Sequence, residues 1–144
     1  EHEVLRPSTP LVRGFDDRFF VPHSRHTGLN LKDLAAVPAL RVLASGRRTG
    51  PFLLSTENGR QIFVTGHPEY DLFTLDAEYR RDLEKGLEIS VPENYYPSDD
   101  PAQRPINRWR SHAHLLYHNW LNYYVYQTTP YDLEELSPLA GEPR

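Results

Sequence analysis

Apolar positions along this chain fall into short runs that switch between two periods. Residues 40–44, 52–55 and 61–65 carry apolar side chains at strand spacing, separated by turn signals. Gly46 and Gly50 bracket the first connection. Asn58-Gly59 marks the second as a hairpin turn, since both residues tolerate the positive φ such turns require. Ile62, Phe63 and Val64 form an unbroken apolar run, the pattern of a strand buried on both faces. The period then lengthens. Leu75, Tyr79 and Leu83 predict a helix over 74–85, with Thr74 as N-cap and Gly86 as C-terminal cap. Trp109, Leu116, Trp120 and Tyr124 predict a second over 106–126, with Pro130 just past its end. Leu31, Leu34 and Ala35 fit a short helix over 29–37, stopped by Pro38. Residues 11–22 read as extended or turn-rich chain near a core, and 22–28 as a polar loop. Residues 91–105, with Pro92, Pro97, Pro101 and Pro105, read as a long connection. The polar segments 1–10 and 134–144 read as a connector and a frayed tail.

Composition narrows the class further. The 144 residues fit one domain or part of a larger one, and 38% hydrophobic with 12% aromatic content suffices for a core. Sixteen basic against twenty acidic residues give a net charge of −4, which argues against a general nucleic-acid or membrane-surface binder. No apolar run approaches the length of a membrane span, and no signal-peptide pattern opens the chain. The expectation is a soluble, cytoplasmic protein. Without cysteine the chain has no disulfide, no thiolate metal site and no cysteine nucleophile. Methionine is also absent, even at position 1, so the chain is expected to be a portion of a longer product.

The sharpest local chemistry lies in Phe63-Val-Thr-Gly-His-Pro-Glu-Tyr70. A strand ends in glycine, and a histidine and a carboxylate follow two residues apart, pointing the same way in an extended segment. His67 can then accept a proton while Glu69 fixes its tautomer and stabilises the imidazolium. On spacing alone, a strand-ending histidine and a solvated turn carboxylate explain the pair at least as well. His114 and His118 stand at i, i+4, but no third ligand falls on their face, so no metal site is expected. Asp99-Asp100 reads as a solvated turn. Arg13-Gly-Phe-Asp-Asp17 fits either a substrate loop or an arginine–aspartate brace. No glycine-rich phosphate loop is present.

Gly66-His-Pro-Glu69 after an apolar strand resembles the end of class I glutamine amidotransferase domains, in which His and Glu complete a triad with a cysteine. A wider set of motifs resembles a narrower group. Arg13-Gly-Phe-Asp-Asp17, Pro22-His-Ser-Arg25, Phe63 to Asp71, Asn94-Tyr-Tyr-Pro97, Trp109-Arg-Ser-His112, Asn119 to Gln127 and Thr129-Pro-Tyr-Asp132 are similar to homoserine O-acyltransferases of the succinyltransferase type. The motifs match only the C-terminal half of that family, which makes 11–133 the C-terminal half of a catalytic domain and 1–10 a connector from the other half.

The resemblance implies an α/β fold: the C-terminal part of a class I glutamine amidotransferase-like, flavodoxin-like open sheet flanked by helices. It also implies ping-pong acyl transfer from succinyl-CoA or acetyl-CoA to the hydroxyl of L-homoserine, in methionine biosynthesis. On this sequence the general base falls on His67, its carboxylate partner on Glu69, a substrate-binding serine on Ser24 and the substrate-carboxylate arginine on Arg81. Helical periodicity by itself puts Arg81 on a solvated face. No cofactor is expected; acyl-CoA is a co-substrate. The nucleophilic cysteine is expected in an N-terminal half, in the same or a companion chain, so the chain is not expected to perform the transfer alone. The family suggests a homodimer. Acyl transfer to another hydroxy amino acid such as serine, an amidotransferase-type glutaminase and a non-catalytic scaffold remain alternatives.

Overall fold

The computed structural model describes residues 1–129. Its centre is a hairpin, β3 (Leu40–Gly46) and β4 (Gly50–Thr56), continued by β5 (Ile62–Val64). Gly50 and Gly59 take φ of 73° and 68°, left-handed values that glycine adopts without strain, so both hairpin turns fall where the glycines predict. Asn58 reinforces the second turn by accepting from the Arg60 amide at 3.1 Å. Two further strands, β1 (His2–Val4) and β2 (Arg18–Phe19), extend the sheet on the other side. The order is β2-β1-β3-β4-β5 and every pairing is antiparallel. With helices packed on it, this is an α/β open sheet, as expected and compatible with the flavodoxin-like reading.

Two expectations are corrected here. Residues 2–4, read as part of a polar connector, are a strand between β2 and β3. The sequence hides this because its inward residue is His2, whose buried ring stacks on Phe19 and tilts against Phe52. β5, read as buried on both faces, leaves Phe63 44% and Val64 41% exposed. It is an edge strand, paired only with β4 among the described residues. The doubly covered strand is β4, where Phe52, Leu53 and Leu54 are fully buried.

The main core gathers Leu11, Val12, Phe19, Leu43, Phe52 and Leu53 under Leu116 of α3 (Arg110–Trp120). Asn119 pins that helix to the 3-10 turn Pro10–Val12, donating to the carbonyls of Leu11 (3.1 Å) and Arg13 (2.8 Å). α3 starts four residues later than the aromatic spacing predicts. The Asn107 carboxamide accepts from the amides of Trp109 and Arg110 and so fixes the start. Leu121–Tyr126 continues as a π-helical turn, and Trp120, expected inward, is 42% exposed. α1 (Leu31–Ala35) is shorter than expected and buries nothing.

A second core, Leu75, Tyr95, Tyr96 and Trp109, holds α2 (Thr74–Glu84). Thr74 begins the helix rather than capping it. The N-terminal amide of Asp76 is satisfied instead by the Tyr95 hydroxyl at 3.2 Å, an aromatic partner from the proline-rich connection. At the other end Gly86 (φ 72°) donates to Leu83 and Leu87 donates to Asp82, a Schellman closure as expected from the glycine. Of the predicted stripe, Leu75 and Tyr79 are buried and Leu83 is exposed. The proposed tail 134–144 and most of Thr129-Pro-Tyr-Asp132 lie outside the described residues.

Candidate active site

The chain leaves β5 through Thr65-Gly66-His67, and the Pro22–Arg25 loop clamps this exit. The His67 amide donates to the Pro22 carbonyl at 2.8 Å. Arg25 donates to the carbonyl of Thr65 at 3.1 Å and to that of Thr49. Gly66 is required because a Cβ there would sit 2.8 Å from His23 Nε2 and 3.0 Å from the Pro22 oxygen. The glycine thus lets the loop close against the strand end, which fixes where His67 begins.

His67 and Glu69 meet. Nδ1 lies 2.9 Å from Glu69 Oε1, with the histidine side chain one-third exposed and the carboxylate half exposed. An ionised carboxylate accepts, so Nδ1 carries the proton and Nε2 presents its lone pair. Nε2 has no hydrogen-bond partner among the described residues. Tyr70 stacks on the imidazole, ring centroids 4.3 Å apart and planes 15° off parallel. Its hydroxyl donates to Glu78 Oε1 at 2.9 Å. Burial, reinforced by that carboxylate, pushes the Tyr70 phenol up to about 12. The phenol therefore stays a donor. Trp109 Nε1 holds the Tyr70 carbonyl at 2.9 Å, tying the segment to the second core.

Neither Ser24 nor Arg81 touches the His67–Glu69 pair. Ser24 is half-buried in the clamping loop, between His23 and Arg25. Arg81 is half exposed on α2 with Nε donating to Asp82 at 2.8 Å. Helical periodicity is right about its exposure.

Sequence reasoning misses a second histidine pair behind Gly66. His2 Nε2 and His23 Nε2 are 2.8 Å apart with their rings stacked, and Thr49 Oγ1 stands 3.1 Å from His2 Nε2. Burial, with His23 and neighbouring positive charge adding to it, pushes His2 down to about 3. Burial and Arg25 push His23 down to about 4. Both rings are neutral, one donating to the other. No local signal marks a pair so far apart in the chain. His23 also lines a cleft of 1320 Å³ that includes Arg18, Arg47, Arg48 and Arg108 but not His67.

The remaining motifs brace the fold. Arg13 donates to the Tyr123 hydroxyl at 2.7 Å, and Asp16 Oδ2 pairs with His112 Nε2 at 3.1 Å, so the two do not pair with each other. His118 contacts Asn122. Among the described residues no three histidine or carboxylate side chains gather as metal ligands, and no helix is long and apolar enough to cross a membrane.

A histidine oriented by a carboxylate at a strand end can take a proton from a nucleophile held at Nε2. Comparison with known proteins shows the family that the chain belongs to. The family model described as homoserine O-succinyltransferase matches residues 1–131. A homoserine O-acetyltransferase of Petrotoga mobilis is 54% identical over 136 residues, covering 94% of this chain and 44% of that protein. Another, of Desulfitobacterium hafniense, is 58% identical over 135 residues with the same coverage. A third, of Geobacillus kaustophilus, is 56% identical over 133 residues, covering 92% of this chain and 44% of the relative. The chain spans less than half the length of these curated relatives.

Proposed function

The chain belongs to the homoserine O-succinyltransferase family, and from that membership we propose that it carries the base and acceptor side of an acyltransferase site. The reaction moves an acyl group from succinyl-CoA or acetyl-CoA to the hydroxyl of L-homoserine, as a step of methionine biosynthesis in the cytoplasm. A cysteine in the length of the relatives that this chain does not span supplies the nucleophile, in the same or a companion chain. The exposed apolar face of β5 supports this division. Ile62, Val64, Tyr117 and Trp120 line a groove of 740 Å³ where further chain can pack. A homodimer belongs to the same reading.

The observation that carries it is the 2.9 Å contact between His67 Nδ1 and Glu69, with Nε2 left open among the described residues. In the first half-reaction Nε2 takes the thiol proton as the sulfur attacks the thioester carbonyl, and returns it to the departing CoA thiolate. In the second it takes the homoserine hydroxyl proton as that oxygen attacks the acyl-enzyme, and returns it to the released cysteine. Glu69 stabilises the imidazolium formed in each step without accepting the proton itself. Ser24 and Arg81 act on the acceptor, the guanidinium gripping its carboxylate as a fork.

The test joins this chain to the remaining length of a relative and measures acyl-CoA consumption with homoserine, serine and glutamine. Homoserine-dependent turnover is expected from the joined protein and none from the chain alone; turnover by the isolated chain would overturn the division. Arg81→Ala should leave the acylation burst intact and strongly reduce homoserine kcat/KM, with lysine rescuing only in part. An unchanged homoserine kcat/KM would return Arg81 to a purely solvated role.

A further inference from the structure

His67 has a torsion that its own covalent structure leaves loose. Rotation about the Cβ–Cγ bond of a histidine is broad rather than confined to sharp staggered wells. The bond from Nδ1 to Glu69 anchors one point of the ring. A ring held at one point can still tilt about the line of that bond. The lone pair on Nε2 lies in the ring plane, so it swings with any tilt. A working base needs its direction held to within about 10–20°. A second contact must therefore set the plane.

Tyr70 makes that contact. Its ring lies 4.3 Å from the imidazole, centroid to centroid, with the planes only 15° apart. A face contact this parallel resists tilt, because tilting drives one edge of the imidazole into the phenol ring. Tyr70 is itself held at three points. Its amide donates to the His67 carbonyl at 3.2 Å, its carbonyl accepts from Trp109 Nε1 at 2.9 Å, and its hydroxyl donates to Glu78 Oε1 at 2.9 Å. Trp109 belongs to the second core and Glu78 to α2, so the ring is braced from two separate elements. With the phenol pushed up to about 12, the hydroxyl stays a donor throughout the range in which an imidazole titrates, and the brace holds in both charge states of the base. We propose that Tyr70 is a positioning residue, whose ring sets the plane of His67 and hence the direction in which Nε2 meets a proton. This role rests on the acyl-transfer reading and adds a residue to it that acts through His67.

The test uses the full-length enzyme and follows acylation by acyl-CoA in a single turnover without acceptor, so that nothing at the acceptor's site enters. Burst amplitude counts the folded enzyme, and the rate constant reads only those molecules. Tyr70→Leu should lower the rate constant roughly 10- to 100-fold, the scale of a small misplacement of a catalytic group. Tyr70→Phe keeps the ring and should recover most of the loss. In a His67→Ala background Tyr70→Leu should cost nothing further, because the group it positions is gone. An unchanged rate constant in Tyr70→Leu overturns the proposal. So does a loss in Tyr70→Phe as large as that in Tyr70→Leu, or a loss that persists without His67, which marks a structural role. Whether or not the variants fold, the His67 ring protons of the unaltered enzyme should resonate upfield under the Tyr70 ring current; unshifted resonances overturn the proposal too. Absence of any acylation burst in the unaltered enzyme instead removes the acyl-transfer reading beneath it, so the two failures are distinct.

Discussion

Two histidine pairs meet at Gly66, and they are opposites. His67 is partly open to solvent, partnered by an anion and, among the described residues, free at Nε2. His23 is half-buried against a second, fully buried imidazole, and desolvation holds both of those rings neutral. On the proposed function, the same side chain is a proton acceptor on one side of a glycine and a packing element on the other. The difference lies in the partner and the water: a carboxylate stabilises the imidazolium, whereas a buried imidazole partner disfavours it.

The comparison breaks most sharply at His67. His67→Ala in the completed enzyme should lose about 10²–10⁴-fold in rate, the range of general-base assistance, whereas His2→Gln should leave the pH profile of turnover in place. Equal losses in the two variants, measured by steady-state kinetics, would erase the distinction. Glu69→Gln should leave the fold intact and cost rate by misorienting the imidazole. The loss reaches about 10⁴-fold for a buried carboxylate and should be smaller here, because Glu69 is half exposed. Wild-type kinetics in that variant would end the dyad reading.

The buried pair should appear in stability rather than in rate. His2 and His23 hold folded-state pKa values of about 3 and about 4, below the ordinary 6.5. The unfolded chain therefore binds more protons in the window between, and stability falls as pH drops from 6.5 toward those values. The slope reaches at most about 1.4 kcal/mol per pH unit for each imidazole. Denaturant unfolding between pH 7 and 4 should show this loss, and His2→Gln should flatten it. The smallest effect belongs to the glycine itself. Gly66→Ala should cost about 1–3 kcal/mol by overpacking, and His23→Ala in the same chain should return part of that in a double-mutant cycle. Strict additivity of the two losses would mean that His23 does not set the glycine requirement.

What the sequence reveals and what it conceals divide by range. Asn58-Gly59 and Gly86 each encode their turn through their own backbone freedom, so both are legible without the rest of the fold. His67 and Glu69 are two residues apart, and a turn closed by the Tyr70 amide on the His67 carbonyl at 3.2 Å brings them together, where the spacing predicts an extended segment. β1 is not legible, because its inward residue is a polar histidine made apolar only by Phe19 and Phe52. The start of α3 is missed because Asn107, not the aromatic stripe, decides it. The Tyr70–Glu78 link crosses from a turn to a helix, and the His2–His23 pair joins a strand to a distant loop. Neither leaves a periodic trace. The exposure of β5 is hidden for another reason, since an apolar run encodes the wish for cover and not its source.

The place of β1 beside β3 also has a consequence for the order of assembly. β3, β4 and β5 are joined by tight turns and pair in sequence, whereas Val4 must find Ala44 across the whole intervening chain. Local pairings close faster than distant ones, so the three-stranded meander that leads to His67 forms ahead of the strand that carries His2. Until β1 docks, His23 lacks the ring that packs it against Gly66, so the strand end that leads to His67 is in place before its packing is complete. Pulse-labelled amide exchange should therefore protect Leu53 and Leu54 in an earlier kinetic phase than Leu5, whose amide donates to the Leu43 carbonyl of β3 at 2.8 Å. Simultaneous protection would mean that the sheet closes in one step.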